Sequence, residues 1–294
     1  MNNTEIKKYI TECADAVEHA LEAKFVCDDA ELSCLYEAMA YSTLGGGKRI
    51  RAFLVLEFCR MLGGDEAAAT EFACALEMVH AFSLIHDDLP CMDDDDMRRG
   101  KPSCHIKYGE AHALIAGDAL IMLAFSVAAC ASKDEKLSLG AVKILAERAG
   151  ALGMCGGQTM DMNAEERRVP VSYLEKLQSL KTGALIEAAV KLGCLSANAS
   201  EECCADGVKY ASCIGRAFQI VDDILDVEGD EATLGKRIGS DAECEKSTFV
   251  TELGLEGAKA EAKRLTDEAV SVISKYENSE KLISLAKWLL ERRN

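Results

Sequence analysis

The sequence predicts an all-α fold, a single-domain bundle of about ten or more helices. Three observations support this prediction. Apolar residues recur at three- and four-residue spacing along most of the chain, and convincing period-two alternation is absent. Only three prolines occur in 294 residues, so few positions interrupt a helix. No long linker or internal repeat divides the chain, which favours one domain over residues 1–294.

The spacing of apolar residues and the Gly-, Pro- and Asp-rich breaks define the helices in order. The predicted ranges are 3–24, 31–43, 48–63, 66–87, 108–131, 136–151, 153–162, 172–193, 200–227, 247–275 and 278–292. The breaks between them include the glycines at 45–47 and 63–64, the Asp-rich segment through Lys101, SKDEKLS, NAEERRVPVS and the 229–247 region. The fourth helix is expected to end soon after Asp88 because Pro90 follows.

Composition narrows the class of protein. The formal net charge of −17 disfavours nucleic-acid and anionic-lipid partners, and a small anionic ligand would need local basic residues or bridging cations. The N-terminus has no continuous apolar segment typical of a secretory signal. The nearly apolar run at 119–131 is too short to span a bilayer, so we predict a buried core helix and no stable membrane insertion.

The cysteines predict a reducing compartment. Fourteen occur, but none forms a CxxC pair, and the chain is too large for a small disulfide-stapled domain. Most lie among Ala and Leu, as Cys59, Cys74, Cys130 and Cys213 do. We interpret these as core thiols of a cytoplasmic protein.

The stretch DDLPCMDDDD, at 87–96, contains six aspartates in ten residues. Just before it, His80, Ser83 and Asp87 share one face of the predicted helix, and Asp93 follows across a short loop. Two such charges about 5–6 Å apart repel by roughly 3 kcal/mol at an effective dielectric constant near 20. A hard divalent cation such as magnesium would compensate this repulsion, because it prefers oxygen ligands.

A second acidic cluster lies in FQIVDDILDVEGD. Gln219, Asp222, Asp223 and Asp226 fall on one helical stripe within an otherwise apolar sequence. A solvated face would carry mixed charges and lysines, and this stripe does not. Two carboxylate clusters on separate helices indicate opposed walls around a metal cluster.

Basic residues form four further clusters. They are Lys48, Arg49 and Arg51 in GGGKRIR; Arg98, Arg99 and Lys101 in MRRGKP; Lys181, beside Thr182, in LKTGALIEAA; and Lys236, Arg237 and Lys246, with Asp241 among them, in LGKRIGSDAECEKST. GGGKR superficially resembles a P-loop but fails its pattern, since Arg49 replaces the Ser or Thr. Two acidic clusters with four basic ones suit diphosphates held through magnesium bridges.

These motifs carry a family resemblance. GGGKRIR, SLIHDDLPCMDDDDMRRGKPSCH, GDAL, GMCGGQTMD, KTGALI and FQIVDDILDVEGD resemble the ordered motifs of short-chain trans-polyprenyl diphosphate synthases. The likeness runs from about residue 36 to the C-terminus and is closest to the bacterial farnesyl diphosphate synthases. It implies a helical bundle of the isoprenoid synthase type around a deep central cavity, in a homodimer. The implied reaction is head-to-tail condensation of isopentenyl diphosphate with dimethylallyl or geranyl diphosphate, giving farnesyl diphosphate and diphosphate.

The resemblance also implies roles for individual residues. Asp87, Asp88, Asp93, Asp222, Asp223 and Asp226 match the aspartates that hold magnesium, about three ions per site. Arg98, Lys181 and Lys236 match residues that contact the allylic diphosphate, and Lys48, Arg51, His80 and Arg99 match the isopentenyl diphosphate site. Thr182 and Gln219 match polar groups that face the developing carbocation.

The resemblance further implies that product length is set on the helix that precedes Asp87. Phe82, with Ser83 beside it, lies five residues before Asp87 and about 7–8 Å toward the cavity floor. In similar enzymes an aromatic residue here, with two extra residues near Pro90 and Cys91, stops growth at fifteen carbons. Ordinary core packing is the alternative role for Phe82.

Other functions stay open at this point. A geranylgeranyl diphosphate synthase would share every motif. A class I terpene cyclase is disfavoured, because Asp226 and Asp230 occupy its Ser/Thr and Glu positions. A carboxylate di-iron bundle needs two ExxH repeats, and only Glu77–His80 fits. A catalytically silent subunit would usually lack motif residues. Asp94, Asp95 and Asp96 have no assigned role. Arg292 and Arg293 either close the site over the diphosphate or stabilise the C-terminus of the last predicted helix through its macrodipole.

Overall fold

The computed structural model describes residues 1–164, 169–228 and 248–291, and it is almost entirely helical. The helices are α1 (Asn3–Glu22), α2 (Ser33–Thr43), α3 (Ile50–Met61), α4 (Glu66–Asp87), α5 (Cys104–Tyr108), α6 (Glu110–Cys130), α7 (Glu135–Ala149), α8 (Met154–Met162), α9 (Val171–Gln178), α10 (Ala184–Ser196), α11 (Glu201–Glu228), α12 (Phe249–Ile273) and α13 (Glu280–Glu291). The all-α prediction is confirmed, and most predicted helix boundaries agree to within a few residues.

Local signals explain where the helices begin and end. The Asn2 side chain accepts hydrogen bonds from the N–H groups of Thr4 and Glu5, and the Glu5 carboxylate accepts the N–H of Asn2, which completes a capping box. Asp65 caps α4 in the same way through the N–H groups of Ala67 and Ala68. At its other end α4 stops at Asp87, as Pro90 predicted.

Three features escaped the sequence prediction. A two-stranded antiparallel hairpin, β1 (Met97–Arg98) with β2 (Lys101–Pro102), follows the aspartate run. The short helix α5 comes next. Between α9 and α10 the chain makes a π-helical turn, Ser179–Gly183, so that the predicted helix 172–193 contains a bulge.

Helix α4 runs through the centre of the bundle and is buried on nearly all sides. It packs against α3, α6 and α10. Small residues allow the closest approaches between helices. A Cβ at Gly193 of α10 would lie 2.6 Å from the Cβ of Phe58 in α3, so only glycine permits this contact. The surrounding aliphatic and aromatic side chains form one continuous core.

Helix α6 is only half buried. Its large apolar side chains Leu114, Ile115 and Met122 are exposed. Met122 lies within the run 119–131, so the prediction of a buried core helix there is wrong for this face. The helix is also longer than the apolar run that predicted it. By length and hydropathy alone, α4 and α6 could each cross a membrane. Within the bundle, however, 72% of the apolar 18-residue segment of α4 is buried, compared with 39% of the corresponding segment of α6.

The prediction that most cysteines are core thiols is wrong: of the thirteen in the described ranges, six are buried, three are half-buried and four are exposed. Cys59, Cys74 and Cys213 lie in the core as expected, and all cysteines in the described ranges are free thiols. Cys130 is exposed instead, because it is the last residue of α6 and faces outward there.

The first and last helices are joined by a polar cluster over α3. Lys281 of α13 donates to the Tyr9 hydroxyl of α1 at 2.5 Å, and that hydroxyl donates to Glu57 of α3 at 2.6 Å. Arg60 donates to both acceptors, at 2.9 and 2.8 Å. Glu57 is almost fully buried, so these charge-assisted bonds lie in a medium where they are strong. The cluster therefore fixes α13 against the start of the chain.

Candidate active site

A cavity of about 250 Å³ opens among α3, α4, the π-helical turn, α10, α11 and α13. One part of its wall carries basic and polar groups, and another part is apolar. The lining includes Lys48, Arg51, His80, Arg99 and Thr182 on the polar part, with Leu54, Ile186, Ile214, Phe218 and Leu289 on the apolar part. Five of the residues predicted from separate motifs are thus brought together.

Arg49 belongs to the scaffold of this cavity. It adopts a left-handed conformation, φ 49°, immediately before α3. Its guanidinium turns inward and bonds Glu77 at 2.9 Å, Glu18 at 2.6 Å and the carbonyl of Thr43. Glu77 also accepts the N–H of Ala52 at 3.2 Å. The charge of Arg49 is therefore compensated within the protein, and its neighbours Lys48 and Arg51 line the same cavity.

Positive charge accumulates around His80. Burial lowers the pKa of His80 well below its ordinary value, and the nearby Arg51, Arg99 and Arg49 lower it further. The imidazole is therefore neutral at pH 7. Burial also lowers the pKa of Arg51 and of Arg99, and the buried Nε of Arg51 has no hydrogen-bond partner among the described residues. The half-buried guanidinium of Arg51, with an unused donor and the exposed Arg99 nearby, favours an anionic ligand.

The glycine loop lets Arg99 approach this group. Arg99 donates to the carbonyl of Gly46 at 2.9 Å. A Cβ at Gly46 would lie 3.1 Å from the Arg99 side chain, and a Cβ at Gly47 would lie 3.1 Å from its guanidinium. Gly47 also has φ +93°, which favours glycine. The hairpin carrying Arg99 therefore packs against the loop that precedes α3.

Helix α13 reaches the same loop. The ammonium group of Lys48 lies 5.3 Å from the centroid of the buried Trp288 ring, a cation–π contact. The next residue, Leu289, lines the cavity. The last described helix thus contributes both a wall and a support for a basic side chain.

The first aspartate run folds back on itself at the end of α4. The N–H of Asp93 donates to the carbonyl of Asp87 at 2.9 Å, which closes the loop around Pro90. Burial raises the pKa of Asp87 from 3.8 to about 6, and Asp93 contributes in the same direction, while Lys181 opposes the shift. The charge of Asp87 is therefore incompletely compensated.

Asp88 has a different environment from Asp87. It is nearly fully buried and accepts two hydrogen bonds from Arg98, one of them from Nε at 2.9 Å. The same guanidinium contacts Asp95 at 3.1 Å. Asp88 and Asp95 together hold Arg98 in place, which gives Asp95 a role that the sequence did not assign.

Lys181 lies on the π-helical turn and forms an ion pair with Asp161 of α8 at 2.5 Å. A Cβ at Gly157 would lie 2.2 Å from the backbone N of Lys181, so glycine is needed for α8 to pack against the turn. Thr182, the next residue, lines the cavity. Single π-helical turns are frequent at functional sites. In this one, Lys181 contacts Asp161 while the next residue, Thr182, lines the cavity.

The second acidic cluster occupies the last turns of α11. Asp223 accepts the N–H of Phe249 at 2.7 Å, across to α12, while Asp226 is buried and Asp222 is half-buried. No group of three His, Cys, Asp or Glu side chains within 1–164, 169–228 and 248–291 is close enough to hold a metal by itself. Gln219 is half-buried one turn earlier. The predicted residues Lys236, Arg237, Asp241 and Lys246, with Asp230, Arg292 and Arg293, lie outside the described ranges.

The predicted length-determining residues sit one turn before the first aspartates. Phe82 is 7% exposed, and its ring meets the His86 ring edge-on with centroids 5.8 Å apart. The Ser83 hydroxyl donates to the carbonyl of His80 at 2.9 Å. Phe82 is not part of the wall of the 250 Å³ cavity described above.

Comparison with known proteins identifies the family. The polyprenyl synthetase family matches residues 32–287, which is most of the chain. The chain belongs to this family. It is 51% identical to farnesyl diphosphate synthase of Escherichia coli over 237 residues, 79% of each protein. It is 43% identical to the farnesyl diphosphate synthase of Haemophilus influenzae over 283 residues, 95% of each.

Two further similarities bear on product and fold. Geranylgeranyl pyrophosphate synthase 3 of Arabidopsis thaliana is 41% identical over 298 residues, 99% of this chain and 82% of that protein. The crystal structure of an FPP/GFPP synthase from Zymomonas mobilis, without ligands, superposes with a TM-score of 0.88 at 34% identity and covers 98% of this chain and all of that one. The predicted isoprenoid synthase fold is confirmed. Members of the polyprenyl synthetase family are metal-dependent prenyltransferases that use isoprenoid diphosphates.

Sequence reasoning missed several residues that position this polyprenyl synthetase site. In the sequence, Glu77 was considered only as half of an ExxH pair, and Asp161 only as the last residue of GMCGGQTMD. Both are acidic residues in apolar helical sequence, and that signal could have marked them as buried partners of basic residues. Trp288, a lone aromatic residue near the C-terminus, offered no comparable signal.

Proposed function

We propose that this protein is a magnesium-dependent farnesyl diphosphate synthase. It condenses isopentenyl diphosphate with dimethylallyl and then geranyl diphosphate, releasing diphosphate at each step. The observation that carries this proposal is the cavity whose lining combines Lys48, Arg51 and Arg99 with apolar side chains. A diphosphate with a hydrocarbon tail needs both surfaces. The similarity to two bacterial farnesyl diphosphate synthases supports the same substrates and product.

Isopentenyl diphosphate is assigned to the basic part of the cavity. Lys48, Arg51 and Arg99 supply positive charge, and neutral His80 supplies a hydrogen-bonding nitrogen. The unpaired, buried Nε of Arg51 supports this assignment, because a diphosphate oxygen would accept its hydrogen bond. The net charge of −17 makes such a local cluster necessary for binding an anion.

The allylic diphosphate is assigned to the aspartate side, with Arg98, Lys181 and Lys236 as its basic contacts. Asp87 and Asp93 would supply oxygen ligands for magnesium, together with Asp222, Asp223 and Asp226. The buried carboxylate of Asp87, whose pKa rises to about 6, fits a divalent cation because it lacks full compensation. Asp88 would hold Arg98 rather than bind metal directly. Bound magnesium, about three ions per site, would stabilise the negative charge of the departing diphosphate.

The residues of this chain then control the reacting carbons. Thr182 and Gln219 present oxygen atoms toward the developing allylic cation. Phe218 and Leu289 form apolar walls that exclude water from it. Arg98, held by Asp88, stabilises charge where the carbon–oxygen bond breaks. No side-chain base is assigned, since the released diphosphate can accept the proton.

Phe82 is assigned the limit on product length. Phe82 does not line the 250 Å³ cavity, so this assignment rests on its position five residues before Asp87 and on the family resemblance. The geranylgeranyl diphosphate synthase of Arabidopsis is nearly as similar to this chain as the farnesyl enzyme of Haemophilus is, so product length needs a direct test.

A homodimer in the cytoplasm completes the proposal. The exposed apolar face of α6, formed by Leu114, Ile115 and Met122, suits a second copy of the chain. Light scattering should show a dimer, and Met122→Lys with Ile115→Lys should shift it toward monomer. A monomeric wild-type protein would contradict the assignment. The free thiols support a reducing compartment.

One assay tests the enzymatic proposal. The purified protein is incubated with magnesium, isopentenyl diphosphate and dimethylallyl diphosphate, and the dephosphorylated products are separated by chromatography. We expect farnesol as the main product, and geranylgeraniol in Phe82→Ala. Absence of any condensation product would overturn the enzyme assignment. A twenty-carbon product from the wild type would favour geranylgeranyl synthesis, and an unchanged product in Phe82→Ala would remove its assigned role.

A further inference from the structure

The GDAL motif has no role in the chemistry described so far. Its glycine, Gly117, is fully buried in the middle of α6, where α6 packs against α4. A Cβ at Gly117 would lie 2.1 Å from Nε2 and 2.5 Å from Cδ2 of His86. Real contacts are never that short, so the imidazole of His86 occupies the space that any other side chain would need.

The space that the missing Cβ of Gly117 leaves in α6 is here called the Gly117 notch. Groups of α6 hold the His86 ring in this notch. Its Nε2 lies 3.1 Å from the carbonyl oxygen of Leu114, a hydrogen bond to the backbone of α6. Asp118, the residue after Gly117, lies 4.0 Å from the same nitrogen but is largely exposed. The backbone bond and the missing Cβ together fix the orientation of the ring, with Asp118 at the margin.

The other face of the notch is Phe82. His86 is four residues after Phe82 on α4, so the two side chains lie on the same face of the helix. Their rings meet edge to face, with centroids 5.8 Å apart and an interplanar angle of 72°. Phe82 is thereby packed against a ring whose own position is set by α6.

We propose that Gly117 and His86 are positioning residues that determine product length by holding Phe82 in place. This inference rests on the proposed synthase function and on the role of Phe82 in it. A methyl group on residue 117 takes the place of the imidazole, so His86 must rotate out of the notch. Rotation breaks the bond to Leu114 and removes the edge contact to Phe82. The Phe82 ring is then free to move aside, and a chain longer than fifteen carbons can be accommodated.

The test compares Gly117→Ala and His86→Ala with the wild type in the product assay, using saturating isopentenyl diphosphate. The matched control is Gly140→Ala in α7, where a Cβ would meet the flexible Leu195 side chain at 3.0 Å. We expect the ratio of twenty- to fifteen-carbon product to rise about tenfold or more in both site variants. The control should keep the wild-type ratio, even if it loses some stability.

The decisive arm adds Phe82→Ala to Gly117→Ala. If Gly117 acts through Phe82, the double variant should give the same product ratio as Phe82→Ala alone. A fifteen-carbon or shorter product from folded Gly117→Ala and His86→Ala would overturn the proposal, as would additive shifts in the double variant. These outcomes differ from failure of the proposed function, in which the wild type itself would make no condensation product.

Discussion

Replacing Asp87 by Asn should stabilise the metal-free protein while removing a proposed magnesium ligand. Asn has nearly the same shape as Asp but no charge. Burial and the neighbouring Asp93 raise the pKa of Asp87 to about 6, so the ionised form is held in an unfavourable environment. Neutralisation removes this unfavourable interaction without leaving a cavity.

The pH dependence gives the effect a sign and a size. A carboxyl whose folded pKa lies above its unfolded value of 3.8 contributes stability below pH 3.8, and that contribution is lost as the pH rises through about 6. The difference of about 2 pH units corresponds to about 3 kcal/mol at ~1.4 kcal/mol per unit. Because part of Asp87 still reaches solvent, we expect a gain of about 1 to 3 kcal/mol above pH 7.

Urea unfolding with a chelator present measures the gain at pH 4 and pH 8. The free energy of unfolding of Asp87→Asn should exceed that of the wild type at pH 8. At pH 4 the two values should be closer. Asp96→Asn is the control, because Asp96 is exposed and should change the free energy of unfolding by less than about 0.5 kcal/mol. Equal stability of the wild type and Asp87→Asn at pH 8, or an equal gain at both pH values, would refute the reasoning.

Three further changes test the scaffold of the site. Glu77→Gln leaves the buried charge of Arg49 less compensated, and urea unfolding should show a loss of about 2–4 kcal/mol; a loss below 0.5 kcal/mol would contradict this role. Trp288→Leu removes the ring beside Lys48 and should raise KM for isopentenyl diphosphate several-fold, whereas Trp288→Phe should keep KM close to the wild-type value. An equal rise in KM for the allylic substrate would contradict a role of Trp288 in the isopentenyl diphosphate site. Gly157→Ala forces α8 away from the π-helical turn and should lower the free energy of unfolding by about 1–3 kcal/mol, whereas unchanged stability would show that the helices separate freely.

Much of the fold was predictable because helical periodicity is a local signal. The ends of α4 illustrate this, since Asp65 caps its start and Pro90 explains its end. The π-helical turn at 179–183 was not predictable, because one inserted residue barely disturbs an apolar pattern. The exposed face of α6 was missed because its apolar residues surround the whole helix.

The sequence predicted which residues lie at the candidate site better than it predicted the role of each residue there. The basic cluster at 48–51 was recognised, but only the structure separates Arg49, which faces inward to Glu77, from its two neighbours. Asp87 and Asp88 are adjacent and chemically identical, yet one is incompletely compensated and the other is paired with Arg98. Such differences depend on contacts between distant helices, which the order of residues does not reveal.

The attachment of α13 has a consequence for how the protein matures in the cell. Leu289 walls the cavity, and Lys281 ties its helix to Tyr9 near the other end of the chain. During translation, a nascent chain that already carries both aspartate motifs still lacks this wall. The cavity can therefore be completed only after α13 has left the ribosome. Prematurely terminated chains should accordingly retain most of the helices but expose the apolar pocket to chaperones and proteases.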